Sequence, residues 1–126
     1  MIVLDASVMI ALIDPHDVHA ARAAEVVVAD SSRLLAHRLT LAEVLVQPTL
    51  QQRVDVAISH LEALQIEAID TLDVPRELAD IRARTRLRMP DACVLHAAIR
   101  EGASLATFDD RLRRAAQDAG LMVVAN

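Results

Sequence analysis

The chain has 126 residues, enough for one domain with a real core and too few for two. Apolar residues make up 54% of it, but Phe108 is its only Phe, Tyr or Trp, so it lacks the base-stacking platform of an RRM-like or OB-like nucleic-acid reader. A formal net charge of −5 excludes a generic basic nucleic-acid binder, although an acidic chain can still act on nucleic acid if clustered carboxylates hold a cation.

Ile2-Val3-Leu4 is a short apolar run that ends on Asp5, which predicts a strand buried on both faces with an aspartate where it leaves the core. Ser7 is read as the N-cap of a helix through Val8 to Ile13. Asp14-Pro15-His16-Asp17 breaks that helix, and a second, alanine-rich one is expected from about His19 to Ala29. His16 and His19 have the spacing of a metal pair, but no cysteine or third histidine lies near, and a solvated helix start accounts for them. A second strand is read at Arg33 to Ala36. Thr40 opens the next helix, Pro48 ends it, and Gln47 to Gln52 is a turn.

Leu50, Val54, Ile58, Leu61 and Leu64 recur at helical spacing, with His60 on the surface. Ile66 to Ile69 reads as a third strand. Asp73 caps a helix with Pro75 in its first turn. Leu78, Ile81 and Thr85 form its apolar side, and Arg82, Arg84, Arg86 and Arg88 its other side. Pro90 starts a further helix with Asp91 in the first turn, Cys93 inside, Leu95, Ala98 and Ile99 buried, and Gly102 as the stop. Ser104 to Thr107 is a fourth strand. Phe108-Asp109-Asp110 leads into a helix closed by Gly120, and Leu121 to Val124 is the last strand. Alternating strands and helices in so short a chain mean one parallel α/β sheet with helices on both faces.

Four carboxylates belong to one edge of such a sheet. Asp5 and Asp109 follow the first and fourth strands, Glu43 lies in the helix after the second, and Asp91 opens the helix before the fourth. Each has an ordinary explanation. Thr40 and Glu43 fit a capping box, and Asp91 and Asp109 complement helix dipoles. Gathered together, they would repel unless protons or cations balanced them. An all-oxygen donor set suits Mg²⁺ or Mn²⁺, and two such ions would clamp a phosphodiester and activate a water.

At these residues the sequence resembles a PIN domain, and more narrowly the ribonuclease toxins of VapBC toxin–antitoxin pairs. The resemblance is carried in order by Val3-Leu4-Asp5-Ala6-Ser7, Thr40-Leu41-Ala42-Glu43-Val44-Leu45, Leu87-Arg88-Met89-Pro90-Asp91-Ala92 and Leu105-Ala106-Thr107-Phe108-Asp109-Asp110-Arg111-Leu112. It covers nearly the whole chain and implies a single PIN domain over residues 1–126. It further implies that Asp5, Glu43, Asp91 and Asp109 are catalytic and hold Mg²⁺ or Mn²⁺, with Ser7, Thr107 and Asp110 in support. The substrate it implies is RNA (tRNA, rRNA or mRNA), and the expected partners are a small VapB-like antitoxin and a second copy of the chain. Leu112 stands where the family commonly carries phenylalanine, a core change expected to be tolerated. His96 does not share a helix face with Asp91 and is left out of the site.

Rival readings fare worse. A P-loop enzyme, a receiver domain and a haloacid-dehalogenase-like phosphatase all use a lysine, and every one of the 13 basic residues is arginine. A PIN fold that only binds RNA or a partner would be suggested by the loss of an acidic anchor, and all four are present. A lone cysteine without a disulfide partner fits a reducing compartment. With no signal peptide and no apolar run long enough for a bilayer, the expected location is the cytoplasm, with no membrane partner.

Overall fold

The computed structural model describes residues 1–29, 32–71 and 73–125. Its elements, in chain order, are β1 (Ile2–Leu4), α1 (Ala6–Ile13), α2 (Ala20–Ala29), β2 (Leu34–His37), α3 (Arg38–Val44), α4 (Val46–Leu50), α5 (Val54–Ala63), β3 (Glu67–Ile69), α6 (Pro75–Thr85), α7 (Met89–Glu101), β4 (Ser104–Ala106), α8 (Asp110–Asp118) and β5 (Val123–Val124). The strands form one five-stranded sheet in the order β3-β2-β1-β4-β5, and every pairing is parallel.

Alternation of side chains along each strand divides the core into two layers. Ile2, Leu4, Leu34, Ala36 and Ala106 face one side and pack with Val8, Met9, Val26, Val44 and Leu61 from the helices between β1 and β3. Val3, Leu35 and Leu105 face the other side, against Ile81, Leu95, Ala98, Leu112 and Ala116 of α6, α7 and α8. All three residues of β1 are buried, which is why the run reads as uninterrupted hydrophobicity. Leu112 is fully buried, so the core accepts it where an aromatic ring was the alternative.

Several boundaries differ from the expectation, each for a local reason. The N-cap of α1 is Asp5, not Ser7; the strand leads so directly into the helix that Ser7 already lies in the first turn. The cap of α3 is His37, whose Nδ1 accepts the Leu39 N–H at 3.1 Å, so Thr40 does not form the capping box with Glu43. Pro48 does not end a helix; it lies in the first turn of α4, where its missing N–H would have had no helical acceptor, and the turn is confined to Gln51 and Gln52. Leu50 therefore belongs to α4 and is 71% exposed. Val74, not Asp73, caps α6, and Asp73 accepts from Arg100 Nη1 at 3.0 Å instead. Ile99 is 43% exposed, one position round the helix from the buried Ala98. Gly102 closes α7 in the left-handed conformation, at φ 62°.

The chain runs outward from β1 through β2 to β3, then returns to the other side of β1 for β4 and β5. The direction of winding reverses between β1 and β4. In open α/β sheets the crevice outside the carboxyl ends of two such strands is the ligand site, and Asp5 and Thr107 stand at those ends.

Candidate active site

Asp5 is 5% exposed and Thr107 fully buried. The Asp5 N–H donates to the Ala106 carbonyl at 3.0 Å, continuing the β1–β4 ladder one residue past the strand and fixing the carboxylate at the crevice. Two hydroxyls then converge on one of its oxygens. Ser7 Oγ donates to Asp5 Oδ2 at 2.9 Å and Thr107 Oγ1 at 2.8 Å. Each hydroxyl is itself held, Ser7 Oγ accepting from the Phe108 N–H at 3.1 Å and Thr107 Oγ1 from the Asp109 N–H at 3.0 Å. Asp109 caps α8 with Oδ1, which accepts the Leu112 N–H at 2.9 Å. Among the described residues, Asp5 Oδ1 and Asp109 Oδ2 accept no hydrogen bond. Each carboxylate is thus anchored through one oxygen with the other left over, as a water-bearing cation requires of its ligands.

Asp91 comes from the first turn of α7, the helix that packs under β1 and β2 in the second core layer. Burial holds its carboxyl above the ordinary aspartate range; the negative charges of Asp5 and Asp109 push in the same direction, against Arg88. Glu43, on α3, is raised first by burial, then by Asp91 and Asp5, again opposed by Arg88. The four carboxylates therefore feel one another across the crevice, though they come from four different elements. Among the described residues no three acidic, histidine or cysteine side chains close on one point as a ready-made metal cage. A Mg²⁺ ion that keeps most of its waters and takes one or two carboxylates directly needs no such cage.

Asp110 is placed differently. Its side chain is 73% exposed and ion-pairs with Arg113 one turn along α8, which leaves it on the outer face of the first turn. His16 and His19 do not pair either; the His19 ring stacks on Phe108, centroid to centroid 4.1 Å. His96 is buried and its Nε2 lies 2.5 Å from Glu77 Oε2, so Glu77 serves α7 rather than the arginines of its own helix. Of those arginines, Arg84 pairs with Asp80 and Arg82 donates to the Leu87 carbonyl.

Sequence reasoning missed the link between Arg88 and Asp91. Arg88 is the N-cap residue of α7 and its Nε approaches Asp91 Oδ2 to 3.6 Å. The i,i+3 spacing was visible, but the charge pattern alone gave no reason to join Arg88 to the acidic crevice rather than to the solvated arginine row. Thr40 was read as a cap; it is buried, and its Oγ1 has no partner among the described residues. Beside Glu43 a groove of about 500 Å³ opens between α1, α4 and α5, lined in part by Ile10, Ile13, Pro48 and Val56.

The hydroxyl cradle allows a graded test. Ser7→Ala removes one of two hydroxyl donors to Asp5 and should leave melting close to the wild type while loosening the carboxylate, which would weaken a metal held there about tenfold. Mn²⁺ titration beside a thermal melt checks both halves.

An all-parallel α/β domain with four coupled carboxylates at its topological switch point defines a class of acidic-site α/β proteins. The chain belongs to the PIN domain family, whose sequence profile matches residues 2–118. Its fold is similar to the Mycobacterium tuberculosis toxin VapC20, described as cleaving the sarcin–ricin loop, with a TM-score of 0.76 at 15% identity over 91% of this chain and 95% of that one. It is also similar to a chain of VapBC2 from Rickettsia felis, solved with a DNA fragment from the pair's promoter (TM-score 0.72, 18% identity, 98% and 97% covered). A third likeness is to FitAcB from Neisseria gonorrhoeae (TM-score 0.67, 20% identity, 98% and 96% covered). At these identities the likeness is one of fold. No curated protein matches the sequence.

Proposed function

We propose that this protein is a metal-dependent endoribonuclease, the toxin of a type II toxin–antitoxin pair, acting as a single PIN domain over residues 1–126. The observation that carries this reading is the carboxylate crevice. Four acids come from separate elements, and burial together with the charges of the neighbouring acids raises the carboxyls of Glu43 and Asp91, while two buried or half-buried hydroxyls are committed to holding Asp5 in place. Such an arrangement is costly in an empty site and is relieved by a cation.

Asp5, Glu43, Asp91 and Asp109 would hold Mg²⁺ or Mn²⁺, the donor set being oxygen alone. When bound, the ion supplies Lewis acidity toward a phosphodiester and a lowered pKa for attacking water. The chain's own part is to fix and orient. Ser7 and Thr107 keep Asp5 in one rotamer. Leu112 N–H holds Asp109. Arg88 offsets part of the negative charge at Asp91 and Glu43 and remains 73% exposed, free to turn toward a substrate phosphate. Asp110, facing Arg113, assists only as a helix-start charge.

Support for a protein partner comes from the apolar groove beside Glu43, together with the similarity of the fold to chains solved in toxin–antitoxin complexes. A VapB-like antitoxin docked there would cover the acidic crevice. A homodimer and a cytoplasmic location accompany this reading; among the described residues no helix is long and apolar enough to cross a membrane.

Purified protein incubated with total cellular RNA and Mn²⁺ or Mg²⁺ should give discrete fragments that disappear in EDTA and in the Asp5→Asn variant. Fragments that persist in both controls would refute metal-dependent catalysis. In the same buffers, saturating Mg²⁺ should raise the wild-type melting temperature, by about 2.7 kcal/mol of stabilisation at a hundredfold excess over Kd, and shift Asp5→Asn far less. Equal shifts would place the ion elsewhere.

A further inference from the structure

We propose that the arginine-lined groove between α6, α7 and α8 is a track for the phosphates of single-stranded RNA, leading to the carboxylate crevice. It rests on the ribonuclease reading and extends it to the path of the substrate. The groove has a volume of about 400 Å³, and its walls include Arg84, Arg111 and Arg114 above a floor of Leu87, Leu95 and Ile99.

Three observations single out this surface. The first is where unneutralised cations lie. Arg22, Arg33, Arg100 and Arg113 are paired with carboxylates. Among the described residues Arg38, Arg53, Arg76, Arg86 and Arg114 have no carboxylate partner, and Arg82 and Arg111 donate to backbone carbonyls; of these, Arg111 and Arg114 line the groove together. The groove lining thus carries three arginines, of which Arg84 is tied to Asp80, against one acid among the described lining residues, Asp118 at the last turn of α8.

The second is continuity with the crevice. Arg111 Nη2 donates to the Arg86 carbonyl at 3.3 Å. Two residues further on, Arg88 reaches Asp91 at 3.6 Å. Arg111 itself follows Asp109 by two residues, in the first turn of α8. The third is chemistry. Arg111 and Arg114 are spaced i,i+3 on one exposed face of α8, and a guanidinium fork suits phosphate oxygens. The aliphatic floor suits ribose and base edges, which an anion-only site would not need.

Binding of a fluorescein-labelled oligouridylate would be followed by anisotropy in the Asp5→Asn background with Mg²⁺, so that cleavage is blocked. Adding Arg111→Ala and Arg114→Ala together should weaken binding about tenfold and reduce the salt slope of log K by about 1.4, near 0.7 for each lost single-strand phosphate contact. Arg22→Ala, on the far layer, should change neither. Both changed side chains are exposed, and an unaltered melting temperature would confirm an intact fold. Unchanged affinity and slope, or an equal loss in Arg22→Ala, would overturn the track. So would an identical arginine dependence for duplex DNA, which would make the groove a general polyanion surface. Metal-dependent cleavage of total RNA by the wild type, scored alongside, separates the two levels. If it holds while the arginine variants bind normally, only the track fails; if it is absent, the ribonuclease reading fails and the track with it.

Discussion

Asp91→Asn should abolish the proposed cleavage and, in the metal-free protein near neutral pH, raise the melting temperature. If Asp91 holds the metal, losing it would remove several kcal/mol of charge stabilisation at the reacting phosphate, which corresponds to about a thousandfold or more in rate. The stability effect has the opposite sign because of how Asp91 is held. Burial comes first and the charge of Asp5 second in pushing its carboxyl up, and Arg88 offsets them only in part. The folded protein therefore binds a proton at Asp91 more readily than the unfolded chain does. Stability linked to this group is complete below the ordinary aspartate value of 3.8 and is lost as pH rises through the elevated folded value. Asparagine carries no charge to lose, so the variant gains on the wild type at neutral pH, by about 2–5 °C for relief of about 1 kcal/mol. The gain should vanish at acid pH. Glu43 is raised in the same direction and by the same leading cause, so Glu43→Gln should behave alike. Thermal melts in EDTA at acid and neutral pH test this. A metal-free Asp91→Asn that melts well below the wild type would mean that the acid supports the fold rather than straining it.

Thr107→Val damages the site and the fold together. Valine matches the shape of threonine, so packing in this fully buried position is kept. What disappears is one hydroxyl with two duties, donating to Asp5 Oδ2 and accepting the Asp109 N–H. An N–H at the start of the acidic loop is left without a partner, which costs about 1–3 kcal/mol, several degrees of melting temperature. Asp5 keeps only Ser7 as a side-chain anchor, and the proposed cleavage should fall about 10–100-fold, the range typical for partners that orient metal ligands. Thr107→Ser restores both bonds and should recover most of the activity while still lacking the methyl group. A Thr107→Ser variant as inactive as Thr107→Val would mean that packing by the methyl, not the hydroxyl, is what the site uses.

Legibility was uneven along the chain, and the reason is the range of the interactions involved. Strand β1 was readable because burial on both faces imposes three consecutive bulky residues, a pattern a surface segment would not keep. Helix α7 was readable because Pro90, Asp91 and Gly102 are local signals, each acting within one turn. The caps were less so. Ser7 has the right chemistry for an N-cap, but its hydroxyl bonds to Asp5 and the Phe108 N–H, a partner 101 residues away. Likewise Asp73 has the right chemistry to cap α6, yet Arg100 takes its carboxylate. In both places a partner distant in sequence offered a better bond than the local backbone. Ile99 misled for a related reason, since helical spacing locates an apolar face without stating how far its neighbours extend to cover it.

The alternation of strands and helices, apart from α4, and the parallel sheet were determined by sequence alone, because periodicity and turn residues are local; the four acids of the proposed site were also named from sequence, through motifs that follow one another in a recognisable order. Which oxygens are anchored, which are left over, and that Arg88 sits against Asp91 were decided only by tertiary structure. The physical reason is the crossover between β1 and β4. It brings Asp5 beside Thr107 across 102 residues, and no short-range preference can encode such a meeting; it follows from burying both faces of the central strand.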